Sequence, residues 1–193
     1  MLTSFIEFIN LYGYKAILVL ITLENIFPPI PCELILTFSG FLTTISNLDP
    51  PGVIIVATLG SYLGAVILYF CGYLIDYNRL ISFLTNKLHF NNDSVYRSIN
   101  WFDKYGKIIV FLGRLIPIIR SLISIPAGIT KMNFFNFSIY TIIGSLIWNA
   151  VLVYFGIFLG DNWQLISFYL QRYSIIIVFI LIIIFIHKNS LNF

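Results

Sequence analysis

Two short runs of charged residues and prolines interrupt a chain that is otherwise strongly apolar. The first run extends from Glu24 to Glu33, and the second extends from Arg114 to Arg120. Hydrophobic residues make up 59% of the chain and charged residues only 10%, whereas about 25% of residues are charged in soluble domains. An ionisable side chain inside a bilayer is costly and usually marks a substrate or ion pathway. The sequence therefore predicts an all-α integral membrane protein with a polar site built from two acids and two arginines.

Prolines lie between the charges of both runs and predict breaks in the helices. Proline-broken backbone at membrane depth is tolerated only where it lines a cavity walled by protein. The apolar segments Leu34–Leu48 and Ser121–Thr130 follow these breaks and are too short to cross a bilayer, which takes about 20 residues. We therefore expect each segment to be half of a re-entrant hairpin. The predicted structural breaks are Pro28, Pro29, Pro31, Pro117 and Pro126.

Longer apolar segments predict membrane-spanning helices within a single domain, residues 1–193. The predicted spans are Leu11–Phe27, Val53–Ile75, Asn133–Gly160 and a C-terminal helix at about 163–188. The first half of the domain covers about 1–76, a loop covers about 77–104, and the second half covers about 105–160. This loop region, extended to Lys107, carries five of the eleven Lys and Arg residues, so it is expected to be cytoplasmic. The chain is expected to be a multi-pass protein of the cell membrane with both termini cytoplasmic. A cleaved signal peptide is not expected, because the residues after Met1 lack the basic segment with which such peptides begin.

Several features recur in the two halves at regular spacing. Two Tyr-Gly pairs, at residues 12–13 and 105–106, lie upstream of the two charged runs. The glycines that repeat at one offset of 84 positions are Gly60 with Gly144 and Gly72 with Gly156. Broken segments at corresponding positions of two halves are a pointer to a transporter site. The chain is therefore predicted to be an inverted repeat, each half having a proline-broken re-entrant hairpin followed by a transmembrane helix.

These paired motifs resemble those of the DedA family, also called the SNARE-associated or VTT-domain family. The family's acidic motif, with prolines between two glutamates, corresponds to residues 24–33, and its basic motif Phe-x-x-Arg-x-x-Pro-x-x-Arg corresponds to residues 111–120. The resemblance covers roughly Tyr12 to Asp161. It implies translocation of a phosphate-bearing lipid, either undecaprenyl phosphate or a phospholipid such as phosphatidylethanolamine. Many relatives carry an aspartate where this chain has Ala65, which removes one candidate proton carrier.

The residue types at the two runs agree with a phosphate-bearing substrate. Arg114 and Arg120 are candidate substrate-binding residues, because a guanidinium group binds phosphate with two parallel hydrogen bonds. Glu24 and Glu33 are candidate proton-coupling residues, because a carboxylate that loses its counter-charge in apolar surroundings takes up a proton more readily. The alternative is a structural ion pair that locks the hairpins together. Asn149 is a third candidate for substrate binding, with an interhelical hydrogen bond as its alternative.

Other classes of function use some of the same features. A proton- or ion-coupled transporter of a small soluble ion would use the same four charges, and a membrane scaffold is a further alternative. A lipid-modifying enzyme needs a nucleophile or a metal set, but neither His89 nor His187 lies near the arginines in sequence. We expect no metal, no cofactor and no nucleic acid. The expected partners are a membrane lipid and protons, and a homo-oligomer is compatible with the sequence.

Overall fold

The computed structural model describes residues 9, 11–27, 32–75, 92–117 and 119–160. All regular secondary structure in this part is helical, so the predicted all-α class is confirmed there. In chain order the helices are α1 (Tyr14–Ile26), α2 (Cys32–Ile45), α3 (Pro50–Tyr73), α4 (Asn92–Gly113), α5 (Ile119–Leu122), α6 (Ser124–Ile129) and α7 (Phe134–Leu159).

Two helices are long and apolar enough to cross a membrane. Helix α3 has 24 residues with a mean hydropathy of 2.2, and α7 has 26 residues with a mean hydropathy of 2.1. They correspond to the predicted spans Val53–Ile75 and Asn133–Gly160. Both helices leave large apolar side chains exposed along their length, among them Leu59 and Leu63 on α3 and Ile142 and Ile143 on α7. Such side chains suit contact with lipid rather than water.

Polar caps fix where the two long helices begin. The Asp49 carboxylate accepts a hydrogen bond from the Gly52 N–H, and Pro50 occupies the first turn, where its missing N–H is harmless. Asp49 also accepts a hydrogen bond from the Tyr14 hydroxyl, and these bonds hold the pKa of its carboxyl below the usual value. Asn133 caps α7 in the same way, accepting from the N–H groups of residues 135 and 136.

The first predicted span differs from the observed helix. Gly13 has a φ of 54°, a left-handed conformation that glycine adopts at little cost, and it interrupts the segment predicted as one helix from Leu11 to Phe27. Helix α1 has 13 residues and is therefore about 20 Å long, shorter than the ~30 Å hydrocarbon core of a bilayer. Helix α4 also begins at Asn92, inside the segment predicted as a loop at about 77–104. The predicted C-terminal helix at about 163–188 lies outside the described residues.

The short helix α2 crosses the long helix α7 with almost no space between the backbones. A Cβ atom added to Gly40 would lie 2.1 Å from the carbonyl oxygen of Val153. A Cβ atom added to Gly156 would lie 2.0 Å from the carbonyl oxygen of Thr37. Small residues allow this close approach, which is a common basis of helix association in membranes. Glycine is therefore required on both sides of this crossing.

The other short helix, α6, crosses α3 in the same manner. A Cβ atom on Gly128 would lie 2.0 Å from the carbonyl oxygen of Tyr69, and one on Gly72 would lie 2.3 Å from the carbonyl oxygen of Ile125. Each of these four residues has a counterpart in the α2–α7 crossing, and the difference in residue number is constant for each pair of helices. The offset is 84 positions from α3 to α7 (69 to 153, and 72 to 156) and 88 positions from α2 to α6 (37 to 125, and 40 to 128).

A third pair of close contacts joins α1 to α3 and α4 to α7, and it has the same sequence offset as the two Tyr-Gly pairs. A Cβ atom on Gly60 of α3 would lie 2.8 Å from the carbonyl oxygen of Leu18, and one on Gly144 of α7 would lie 3.1 Å from the carbonyl oxygen of Phe111. The offset from α1 to α4 is thus 93 positions, which also separates Tyr12-Gly13 from Tyr105-Gly106. The order of motifs in the sequence predicts that the two charged runs are equivalent. At an offset of 93 positions, however, the residue that corresponds to Arg114 is Ile21, which is not charged.

Candidate functional site

A buried ion pair joins the two halves of the sequence. Glu24 lies in the last turn of α1 and Arg120 lies in α5, and their exposed fractions are 4% and 3%. The Arg120 Nη2 atom donates to Glu24 Oε2 at 2.9 Å, and the Ser121 hydroxyl donates to Glu24 Oε1 at 3.5 Å. This is the one ion pair within 4.0 Å in the described part of the chain. Residues that are 96 positions apart in sequence therefore neutralise each other inside the protein.

Arg114 is as deeply buried as Arg120, but its side-chain hydrogen-bond partner is a neutral hydroxyl rather than a carboxylate. It follows the last residue of α4 and is 1% exposed. Its Nη2 atom donates to the Ser124 hydroxyl at 2.6 Å, whereas its Nε and Nη1 atoms have no hydrogen-bond partner among the described residues. Gly144 makes room for the side chain, because a Cβ atom there would lie 2.8 Å from the Arg114 Cβ. A buried guanidinium with two unfilled donors is costly, so this position is suited to receive an anion.

Glu33 belongs to the same charged cluster without a direct contact to an arginine in the described residues. It lies in the first turn of α2 and is 6% exposed. Its carboxylate is close enough to interact electrostatically with both Glu24 and Arg120. Glu24 in turn acts on Arg114 as well as on Arg120. The structure therefore brings together the four charged residues that the sequence singled out, and their formal charges sum to zero.

Asn149 lies on α7 and faces α3. Its Nδ2 atom donates to the Thr58 hydroxyl at 3.2 Å, so the interhelical hydrogen bond considered from the sequence is present. Its Oδ1 atom has no partner among the described residues. Asn149 thus retains an unused acceptor, and its role in substrate binding stays a prediction.

A second buried asparagine was missed by the sequence reasoning. Asn25 is adjacent to Glu24, is fully buried, and donates from Nδ2 to the Ser61 carbonyl oxygen at 2.7 Å. In the described part of the chain, no partner is found for its Oδ1 atom or for the Ser61 hydroxyl. The available signal was a polar residue directly after the first acid, at the end of an apolar segment. The Asn25–Ser61 and Asn149–Thr58 hydrogen bonds thus link α1 to α3 and α7 to α3 through buried polar groups.

The proline breaks are only partly described. Pro117 is buried in the turn that joins α4 to α5, and Pro126 lies inside the six-residue helix α6. Pro28, Pro29 and Pro31 lie outside the described residues. Ser124, the first residue of α6, lies against the Arg114 guanidinium.

A metal site would need several histidine, cysteine or carboxylate side chains close together. In the described ranges, no group of three or more His, Cys, Asp or Glu side chains is arranged to hold a metal ion. Cys32 is buried and Cys71 is exposed, and both are free thiols. The donor set at the site consists instead of guanidinium, hydroxyl and amide groups. These groups bind oxyanions.

Two long apolar helices together with a buried cluster of opposite charges are typical of a membrane protein with an internal polar site. Comparison with known proteins narrows this class, because residues 30–158 match the VTT domain. The chain therefore belongs to the VTT-domain family, that is, the DedA family of membrane proteins.

Several bacterial proteins match over most of the chain. An "Alkaline phosphatase-like protein" of Lactococcus lactis subsp. lactis is 50% identical, covering 94% of this chain and 86% of the relative. The "Undecaprenyl phosphate transporter A" of Staphylococcus aureus is 39% identical, covering 92% and 89%. The protein of the same name in Bacillus subtilis is 31% identical, covering 85% and 80%. No solved structure matches the chain.

Proposed function

We propose that this protein translocates a phosphate-bearing lipid across the cell membrane, and that the lipid is undecaprenyl phosphate or, failing that, a phospholipid such as phosphatidylethanolamine. The observation that carries the proposal is the buried Arg114 guanidinium, whose Nε and Nη1 donors have no partner among the described residues. These two donors point to different edges of the guanidinium, so a phosphate group would accept from one of them together with the second Nη2 proton in a two-bond fork. The two relatives named undecaprenyl phosphate transporter A support the choice of lipid.

The proposed architecture is an inverted repeat with one re-entrant hairpin in each half. The reciprocal glycine crossings support it, because α2 packs on α7 as α6 packs on α3, at constant sequence offsets. The site would then lie between the halves, near the middle of the membrane. Both termini would be cytoplasmic, as the basic residues between the halves favour.

The proposed cycle couples phosphate to a proton through the charged cluster. Phosphate bound at Arg114 lies near Arg120 and attracts it away from both Glu24 and Glu33. A carboxylate without its counter-charge in apolar surroundings takes up a proton more readily. Release of the phosphate on the other side would restore the Arg120–Glu24 pair and release the proton. Loading of lipid and loading of proton are thereby linked, without covalent chemistry on the substrate.

The experiment that tests the function is lipid transport by purified protein in vesicles. Vesicles containing undecaprenyl phosphate are compared with vesicles containing fluorescent phosphatidylethanolamine, and the lipid in each leaflet is measured over time. Accelerated exchange of undecaprenyl phosphate is the expected result. Release of inorganic phosphate from the lipid, or uptake of a soluble anion with no lipid exchange, would overturn the proposal.

Arg114→Lys is expected to slow lipid exchange about tenfold although the positive charge is retained. An ammonium group lacks the planar fork that forms two parallel hydrogen bonds to phosphate, and one lost charge-assisted bond corresponds to a factor of about ten or more. The vesicle assay measures the rate, with the exposed residue Lys15 changed to Arg as the matched control. Exchange at the parent rate would show that Arg114 only balances charge.

Glu33→Gln is expected to permit lipid exchange but to abolish its dependence on a pH gradient. The neutral amide cannot carry a proton, whereas the Glu24–Arg120 pair that orders the site is left in place. The distribution of lipid between leaflets is measured with and without an imposed gradient. A variant that still concentrates lipid in one leaflet would exclude Glu33 as the coupling acid and direct the same test to Glu24, since Ala65 offers no third acid on α3.

A further inference from the structure

A separate cavity lies between the middle of α4 and the first turn of α7, away from the charged cluster. Its volume is about 290 Å³, and its walls come from α4, from the turn before α7, and from the first turn of α7. Lys107 lies seven residues before Arg114, and Asn136 lies eight residues before Gly144. Along both helices these spacings correspond to about 10–12 Å. The cavity is therefore distinct from the Arg114 site but aligned with it along the same pair of helices.

The groups that line the cavity are suited to an anion. Lys104 and Lys107 provide two ammonium groups, and Asn133 and Asn136 provide side-chain amides. None of its described lining residues is acidic. The Asn133 side-chain oxygen already caps α7. The side-chain NH₂ group of Asn133 is therefore the part that can donate to a ligand. The N-terminus of a 26-residue helix adds partial positive charge at the same place.

The size and setting of the cavity favour a headgroup over a whole lipid. Ligand pockets commonly measure about 300–1,000 Å³, so this cavity is at the lower end and takes a phosphate with its first few attached atoms. Phe102 and Met132 give it an apolar wall. The Tyr69 hydroxyl donates to the Met132 carbonyl oxygen at 2.5 Å and ties this wall to α3. Basic pockets between membrane helices on the cytoplasmic side bind anionic headgroups.

We propose that this cavity, lined by Lys104, Lys107, Asn133 and Asn136, is a second phosphate site that binds the anionic headgroup of a membrane lipid beside the first turn of α7, away from Arg114. The shared chemistry is a phosphate group whose negative charge is not balanced by a cation in the same molecule, which an anionic lipid headgroup or free phosphate supplies. This site is independent of transport at Arg114 and exists whether or not that site translocates lipid.

The test is a binding titration of the purified full chain in detergent. The probes are dihexanoyl phosphatidic acid, inorganic phosphate, and dihexanoyl phosphatidylcholine as a zwitterionic control. The informative variant is Asn136→Asp, which introduces a negative charge into the cavity. An acid in the first turn of a helix is favourable, so this variant is expected to keep the melting temperature of the parent. Lys104→Gln with Lys107→Gln is the second variant, and Lys15→Gln, outside the cavity, is the matched control.

Saturable binding of phosphatidic acid is expected, weakened about tenfold by Asn136→Asp and at least as much by the double lysine change, and unaffected by Lys15→Gln. Binding that persists in Arg114→Gln protein assigns the effect to the cavity. Inorganic phosphate with the same sensitivity to the variants supports a phosphate site open to both sources, and a response to phosphatidic acid alone supports a headgroup site. Equal binding of phosphatidylcholine, or affinities that no cavity variant changes, would overturn the proposal.

Discussion

Glu24→Gln is expected to lower the free energy of unfolding by about 3–5 kcal/mol, because it leaves the Arg120 guanidinium buried without its counter-charge. Arg120 is 3% exposed, and Glu24 is its one ion-pair partner among the described residues. A glutamine side chain can accept one hydrogen bond from the arginine but carries no charge to offset it. The measurement is the midpoint of denaturant-induced unfolding in a fixed detergent, followed by the loss of helical signal.

The double variant Glu24→Gln with Arg120→Gln is the control for this prediction. Two neutral amides of similar size replace the ion pair, so we expect the double variant to recover much of the stability lost in the single variant. A double variant as unstable as the sum of both single changes would contradict a direct coupling between the two side chains.

The same pair of variants separates a structural role of the ion pair from a functional role. If the pair only locks the hairpins together, the double variant regains both stability and lipid exchange. Under the proposed coupling, the double variant regains stability but not exchange driven by a pH gradient. Measuring both properties on one sample decides between the two roles.

Gly128→Ala and Gly156→Ala are each expected to destabilise the protein by about 3 kcal/mol. The added Cβ atom would lie 2.0 Å from a backbone carbonyl oxygen in both cases, and backbone cannot move aside as a side chain can. Overpacking of this kind typically costs about 1–3 kcal/mol and sometimes more. The measurement is the thermal midpoint in detergent, with the two variants expected to lose similar amounts because the two crossings are alike.

Gly106→Ala is the matched control, since Gly106 is also helical and buried. Its added Cβ atom would lie 3.2 Å from a ring atom of Phe102, a side chain that can shift. Alanine also favours helix by up to about 1 kcal/mol over glycine, so the net change is expected to be within about 1 kcal/mol. A loss equal to that of Gly156→Ala would show that any added methyl group in these helices is harmful, and not the close crossing itself.

Much of this arrangement could be predicted from the sequence because a membrane tolerates few exceptions. Charges in apolar sequence require partners, and this requirement is enough to associate Glu24 with the arginines. The apolar runs also determine α3 and α7, since about 20 uninterrupted apolar residues allow few other structures. The constant glycine spacing also predicts equivalent positions on these two helices, and each of the four glycines concerned lies close to a backbone carbonyl oxygen of a neighbouring segment.

Other features depend on contacts that no pattern of one segment contains. The interruption at Gly13 comes from a backbone conformation that glycine permits but does not require. The choice of Arg120 rather than Arg114 as the partner of Glu24 depends on where the Pro117 turn places each guanidinium. With the 93-position offset between α1 and α4, the residue that corresponds to Arg114 is Ile21 and not an acid. The charges are therefore not distributed symmetrically between the two halves of the sequence.

The crossing of α2 on α7 has a consequence for the order of events during biosynthesis. Gly40 packs on Val153, which the ribosome adds about 110 residues later. At a rate of about 5–20 residues per second, the nascent α2 exists for roughly 5–25 s before its binding surface has been made. Glu33, in the first turn of α2, also lacks Arg120 as a neighbour until 87 more residues have been added. The short helix α2 and the charge in its first turn therefore remain without these partners until the second half of the chain has been made.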